Sequence, residues 1–141
     1  MRAFHERLRV ANDLSALVQV RQLVARAVAE GGFDARLVNR MQIAVDEAVT
    51  NIIEHGYAAA PRGSASIELT LDVHAEQFRI EIRDQGAAFD PMSTAEIDIR
   101  RHVDAGRGGG LGVFLMRSIM DVVDYHGEAG KGNRLVLIKR R

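Results

Sequence analysis

No cysteine occurs in this 141-residue sequence, which excludes disulfide staples, thiolate metal sites and a cysteine nucleophile. Proline is scarce, at 2 residues, and with 47% hydrophobic and 27% charged residues the composition excludes a disordered, collagen-like or low-complexity chain. Neither charge is in excess: Lys plus Arg is 19 and Asp plus Glu is 19, a formal net charge of zero. That balance weighs against nucleic acid and anionic membranes as partners, because both usually call for a basic surplus. Nowhere does an apolar run approach the roughly 18 residues of a membrane span, and Met1 to Arg7 lacks the apolar stretch of a signal peptide. The expected location is the cytoplasm.

What is present is enough for one domain. A chain of this length buries roughly two-thirds of the surface its unfolded form exposes, and no repeat or composition shift divides it, so residues 1–141 read as a single unit. Glycine is plentiful, at 13 residues, and five of them stand between Gly106 and Gly112.

Arg2 to Val10 alternates loosely and reads as a first strand, followed by a helix cap at Asn12-Asp13. Leu14, Leu17, Val18, Leu23, Val24, Ala27 and Val28 recur at helical spacing, and Gly31-Gly32 closes that helix. Asp34 caps a second helix with an apolar stripe of Met41, Val45, Ala48, Val49 and Ile52, which Gly56 stops. Ile67 to Val73 and Phe78 to Ile82 alternate as two strands of an antiparallel hairpin turning around His74 to Gln77. Periodicity is then lost over about twenty-five residues, from Gly86 to Gly110, long enough to suggest a functional lid. Leu111 to Met120 reads as a third helix, and Val122 to Tyr125 and Arg134 to Lys139 as final strands. The expected fold class is an α/β (α+β) two-layer sandwich, a mostly antiparallel mixed sheet with helices on one face.

Three constellations carry chemistry. On the second helix Glu47, Asn51 and His55 are spaced four apart, along one side and away from the apolar stripe. They are either a solvated polar face or an acid/base carboxylate beside an oxygen ligand for a hard cation; Asn51 counts against the first, since Asn is a poor mid-helix residue. At the end of the second hairpin strand, Asp84 points to the same face as Phe78, Ile80 and Ile82. A carboxylate there either caps a turn at Gly86 or waits for a ligand amino group to donate to it. The glycines of Gly106-Arg107-Gly108-Gly109-Gly110-Leu111-Gly112 run into an apolar helix, either as a hinge or as bare amides for phosphate oxygens. They match neither the P-loop nor the dinucleotide-binding glycine spacing.

In this order and spacing the trio resembles the ATP-binding fold of gyrase-type ATPases and histidine kinases, the GHKL or Bergerat fold. Glu47-x-x-x-Asn51 is similar to that superfamily's asparagine box, Asp84-x-Gly86 to its first glycine box, and Gly108-Gly109-Gly110-Leu111-Gly112 to its second. Glu47-Ala48-Val49-x-Asn51-x-x-x-His55-Gly56-Tyr57, with Phe89-Asp90-Pro91 and with Phe114-Leu115-Met116, most resembles the bacterial serine/threonine kinases that act as anti-sigma factors. Ala88 stands where the superfamily commonly has a second glycine.

That resemblance implies ATP and Mg2+ as cofactors. Glu47 would be the general base, Asn51 the magnesium ligand, and Asp84 the acceptor of the adenine amino group. His55, Gly86, Ala88, Phe89, Arg107, Gly108, Gly109, Gly110, Leu111 and Gly112 would complete the nucleotide site, with residues 86–110 as the ATP lid. It implies a kinase that phosphorylates a small anti-sigma-factor antagonist, an acceptor of the STAS type, and otherwise sequesters a sigma factor. A homodimer is implied too, with the strand and helix of residues 1–33 as its expected element. The thirty-odd residues ahead of Asp34 are too few for the phosphoacceptor hairpin of a histidine kinase. Two other classes stay open: a nucleotide-gated binding module without kinase activity, motivated by Ala88, and a regulatory subunit of another partner-switching route.

Overall fold

A side-chain period of two sends Ile67, Leu69, Leu71 and Val73 to one face of β2 (Ser66–Val73), where all four are buried. Phe78, Ile80 and Ile82 do the same on β3 (Gln77–Asp84). The turn between them is closed by the His74 N–H donating to the Gln77 carbonyl at 3.0 Å, and the strands pair with Leu69 opposite Ile82 and Leu71 opposite Ile80. In this computed structural model, which describes residues 3–87, 109–128 and 132–141, β1 (Phe4–Ala11) pairs outside β2. β5 (Gly132–Arg140) pairs with β3, and β4 (Val122–Glu128) with β5. The five strands run in the order β1-β2-β3-β5-β4, and every pairing among the described residues is antiparallel.

Among the described residues three helices lie on the apolar face. The Asp13 carboxylate accepts from the Ser15 N–H at 3.0 Å and opens a 3-10 turn (Leu14–Ala16) that leads into α1 (Leu17–Glu30). Asp34 accepts from the Arg36 N–H at 2.9 Å in the same way, ahead of a second such turn and α2 (Val38–Asn51). α2 packs against both α1 and α3 (Gly109–Ile119). Val20, Val24 and Val28 of α1 and Met41, Val45 and Val49 of α2 close over the sheet as one core, each side chain of this size contributing about 1.5–3 kcal/mol by its burial. The opposite face is charged, with ion pairs His5–Asp72 and Arg9–Glu68, and Arg134 3.5 Å from Glu81.

Two expectations shift. The third helix begins at Gly109, so Gly109 and Gly110 belong to its first turn, two residues before the apolar side chains that marked its start in the sequence. Packing on α2 carries the helix through residues that have little intrinsic preference for it. The last strands run longer than alternation indicated, β4 to Glu128 and β5 from Gly132.

Away from β5's first residues, the Arg141 guanidinium donates to the carbonyls of Gly31, Gly32 and His74 and lies 4.0 Å over the Phe33 ring. It thereby pins the α1–α2 turn to the β2–β3 turn.

Candidate functional site

α2 ends in the chemistry-bearing residues. Its apolar stripe faces the core, and Glu47 is half-buried beside it. Burial pushes the Glu47 carboxyl above the ordinary carboxylate range, and the charges of Glu54 and Asp46 add to that. Asn51 is only 5% exposed, and its amide nitrogen has no hydrogen-bond partner among the described residues. The reading of a solvated polar face is therefore wrong for Asn51: α2 is flanked by α1 on one side and α3 on the other, which helical spacing alone does not register. An unpaired buried amide costs about 1–3 kcal/mol, so the side chain is held there at the expense of stability.

Past Asn51 the helix widens into a π turn (Ile52–Gly56), with the Tyr57 N–H reaching back to the Ile52 carbonyl at 3.1 Å. His55 is exposed on this turn, in contrast to Asn51, and Gly56 ends it as expected.

The second element is the end of β3. Asp84 faces the core, as alternation predicts, and is 5% exposed. Its expected missing donor is supplied by the protein: the Gly86 N–H at 2.8 Å and the Asn133 Nδ2 at 2.9 Å, both ending on Oδ1. Burial pushes this carboxyl up, while the Asn133 and Gly86 donors pull it down. Asn133 stands directly opposite Asp84 in the β3–β5 ladder. Its amide nitrogen also donates to the Gly86 carbonyl at 2.8 Å, and its oxygen accepts from the Tyr125 hydroxyl at 3.1 Å.

The two elements are fastened together. The Ala87 N–H donates to the Gly56 carbonyl at 2.7 Å, and the Gln85 N–H to the Tyr57 hydroxyl at 2.8 Å. Tyr57 is itself buried, and burial raises its phenol pKa, with the Asp84 charge adding and the Gln85 bond opposing. Glu47, Asn51, Asp84 and Gly86 are thus carried on adjoining ends of α2 and β3. Gly109, Gly110, Leu111 and Gly112 form the opening of α3. Ala88, Phe89, Arg107 and Gly108, and with them residues 88–108 of the expected lid, lie outside the described residues.

Asn133, Tyr57 and Tyr125 are the side chains of this network to which sequence alone assigns no role. For Asn133 the available signal is its place just ahead of the apolar alternation that marks the final strand from Arg134. A groove of about 520 Å³ on the sheet's open face, lined by Arg7, Arg9, Glu68, Glu81 and Arg83, includes none of the candidate residues. Among the described residues no three His, Asp or Glu side chains converge as a metal cluster, and no helix is long and apolar enough to cross a membrane.

Residues 10–139 match the family model of the histidine kinase-like ATPase domain. The chain is 34% identical over 98 residues to the serine/threonine-protein kinase BtrW of Bordetella bronchiseptica, covering 70% of this chain and 68% of that one. It is 37% identical over 93 residues to the serine-protein kinase RsbW of Staphylococcus epidermidis, covering 63% of this chain and 58% of the relative. With RsbW of Listeria innocua the figures are 30% over 105 residues, 70% and 64%. The matched region therefore spans between about three-fifths and two-thirds of these relatives' own length. The match spans most of the chain, and the chain belongs to the histidine kinase-like ATPase domain family.

Proposed function

We propose that this protein is an ATP-dependent serine/threonine protein kinase that phosphorylates a small anti-sigma-factor antagonist of the STAS type and sequesters a sigma factor when not so engaged. The observation that carries the site is the buried Asn51 amide nitrogen without a partner among the described residues, one helical turn from the half-buried Glu47. The relatives' names as serine- and serine/threonine-protein kinases support the reaction. The anti-sigma role rests on the resemblance in the Glu47 to Tyr57 segment.

The residues fit ATP and magnesium. Asn51 presents a buried amide nitrogen with no partner among the described residues, from which a phosphate oxygen would accept, and its amide oxygen would be the magnesium ligand. Without a protein metal cluster among the described residues, Mg2+ would depend on phosphate oxygens beside Asn51, its common mode of binding. Bound Mg-ATP supplies the phosphoryl group and the charge neutralisation for its transfer. Asp84 orients the base through its amino group. The amides of Gly109, Gly110, Leu111 and Gly112 at the start of α3 face the phosphates, with Gly108 and Arg107 ahead of them. Glu47 positions the acceptor hydroxyl and takes its proton, a role its raised pKa suits.

The whole of residues 1–141 acts as this one domain, with residues 86–110 as the lid. It works in the cytoplasm as a homodimer through the strand and helix of residues 1–33, and on proteins rather than nucleic acid or membrane. Incubation with γ-labelled ATP and the small STAS-type proteins of its source organism tests the reading. Label on a serine or threonine of one of them is the expected result. ATP bound with no acceptor labelled would replace the kinase by a nucleotide-gated binding module.

A further inference from the structure

α2 grips α1 twice at one residue. Gln42 Nε2 donates to the Arg21 carbonyl at 3.0 Å, and one turn further along α2 the Asp46 Oδ2 accepts from Arg21 Nε at 2.6 Å. Asp46 Oδ1 is buried with no partner, so among the described residues Arg21 is the side chain that answers this carboxylate. Asp46 immediately precedes Glu47, whose half-buried carboxyl lies about 100° round the helix, on the side of Asn51. The charges that act on Glu47 are those of Glu54, on the π turn, and Asp46. Arg40, two turns earlier on α2, and Arg117, in the last turn of α3, are not among them. The other charges of α1 are Arg26, paired with Glu6 of β1, and Glu30 at its end. Arg21 therefore offsets the charge that Asp46 would otherwise impose on its neighbour.

We propose that Arg21 is a positioning residue for the transfer step: by holding Asp46 against α1 and offsetting its charge, it leaves Glu47 as the ionised carboxylate that takes the acceptor proton near neutral pH. This rests on the kinase reading given above, in which the acceptor hydroxyl oxygen bonds to the γ-phosphorus, the bond to the ADP oxygen breaks, and Glu47 receives the hydroxyl proton. Without Arg21, Asp46 is an uncompensated carboxylate beside a second one. Two such neighbours lose their protons in separate steps, and the half-buried Glu47 then keeps its proton to a higher pH. A protonated Glu47 cannot act as the base. Arg21 thus acts through Asp46, not by contact with the reacting atoms.

The test follows Glu47 in the full chain and in its Arg21→Ala, Arg21→Lys, Asp46→Asn and Arg21→Ala/Asp46→Asn variants. Two readouts are taken against pH: the NMR shift of the Glu47 carboxyl carbon, assigned by its loss in Glu47→Gln, and the rate of phosphoryl transfer to the acceptor that γ-labelled ATP identifies. Arg21→Ala should move the Glu47 midpoint and the acid limb of the rate up by about half a pH unit, a loss of about threefold at a pH on that limb. Arg21→Lys should stay near the wild-type values. Asp46→Asn should lower both, and the double variant should return them to the wild-type values or below. A rate that falls equally at every pH, with the midpoint unmoved, would mark a merely structural role for Arg21 and overturn the proposal. So would an upward shift in Arg21→Ala that persists in the double variant. If Arg21→Ala does not fold, Asp46→Asn decides, and a midpoint no lower than that of the wild type overturns the assignment. Midpoints that move as expected in a chain that labels no acceptor support the coupling of Arg21 to Glu47 and overturn instead the kinase reading.

Discussion

The Gly56 carbonyl oxygen lies 2.5 Å from the point where a Cβ on Gly86 would stand, and its carbon 2.8 Å from the same point. This contact joins the helix that carries Glu47 and Asn51 to the strand that carries Asp84, and both of its sides are backbone. Neither can rotate away as a side chain would.

Gly86→Ala should therefore force the two backbones apart. The expected cost is about 1–3 kcal/mol, or a melting temperature lower by about 3–10 °C, with ATP affinity reduced because the Ala87 to Gly56 hydrogen bond is displaced. Thermal melts and nucleotide titration of the purified variant check both. A wild-type melting temperature would mean that the backbone accommodates the methyl group by shifting.

Glu47 sets activity against stability. Its carboxyl titrates above the ordinary 4.5, through burial first and the Glu54 and Asp46 charges second. A carboxyl whose folded pKa is raised ionises more readily in the unfolded chain. As pH rises through 4.5 and past the raised folded value, Glu47 therefore lowers stability, and the full effect is present above that raised value. Glu47→Gln should melt at or above the wild-type temperature at pH 7, with the difference shrinking on acidification to pH 4. Its phosphotransfer should fall by roughly two to four orders of magnitude while ATP still binds. In the wild type, transfer should begin to fall at a pH above 4.5 as the medium is acidified. A variant that melts lower at pH 7 yet matches the wild type at pH 4 would reverse the sign of this argument.

The α1–α2 contact includes Arg21 Nε, which donates to Asp46 Oδ2 at 2.6 Å, while Asp46 Oδ1 is buried with no partner among the described residues. Burial raises the Asp46 pKa against the pull of Arg21. Arg21→Ala leaves that carboxylate without its cation. With the Arg21 side chain half exposed to screening solvent, the expected loss is about 1 kcal/mol. The double variant Arg21→Ala/Asp46→Asn, which removes the charge as well, should regain part of it in a denaturant titration. Equal destabilisation of single and double variants would show that packing of the arginine stem, not charge, holds this contact.

Much of this fold could be read locally. The hairpin of β2 and β3, the core orientation of Asp84 and the caps at Asp13 and Asp34 follow from alternation and turn chemistry within a few residues. What escaped depends on distant parts of the chain. Asn133 acquires its role from pairing with a residue 49 positions away, and a Gly-Asn pair read alone signals a turn. Asn51 is buried on a helix that packs against two others, one of them more than fifty residues downstream, so a helical wheel alone assigns it to the wrong environment. The π turn after Asn51 has no sequence mark before Gly56, and its widened bond from Tyr57 to Ile52 arises where α2 meets the end of β3.

The ladder that sets Asn133 opposite Asp84 also ties recognition to correct assembly. A slip of one residue between β3 and β5 would carry one strand's set of side chains through to the opposite face, and Asp84 and Asn133 would part company. Under the proposed function such a misregistered molecule would lack the nucleotide site altogether. Under the proposed function, nucleotide in the cell then acts as a folding inspector, stabilising only the chains whose strands have found their proper partners.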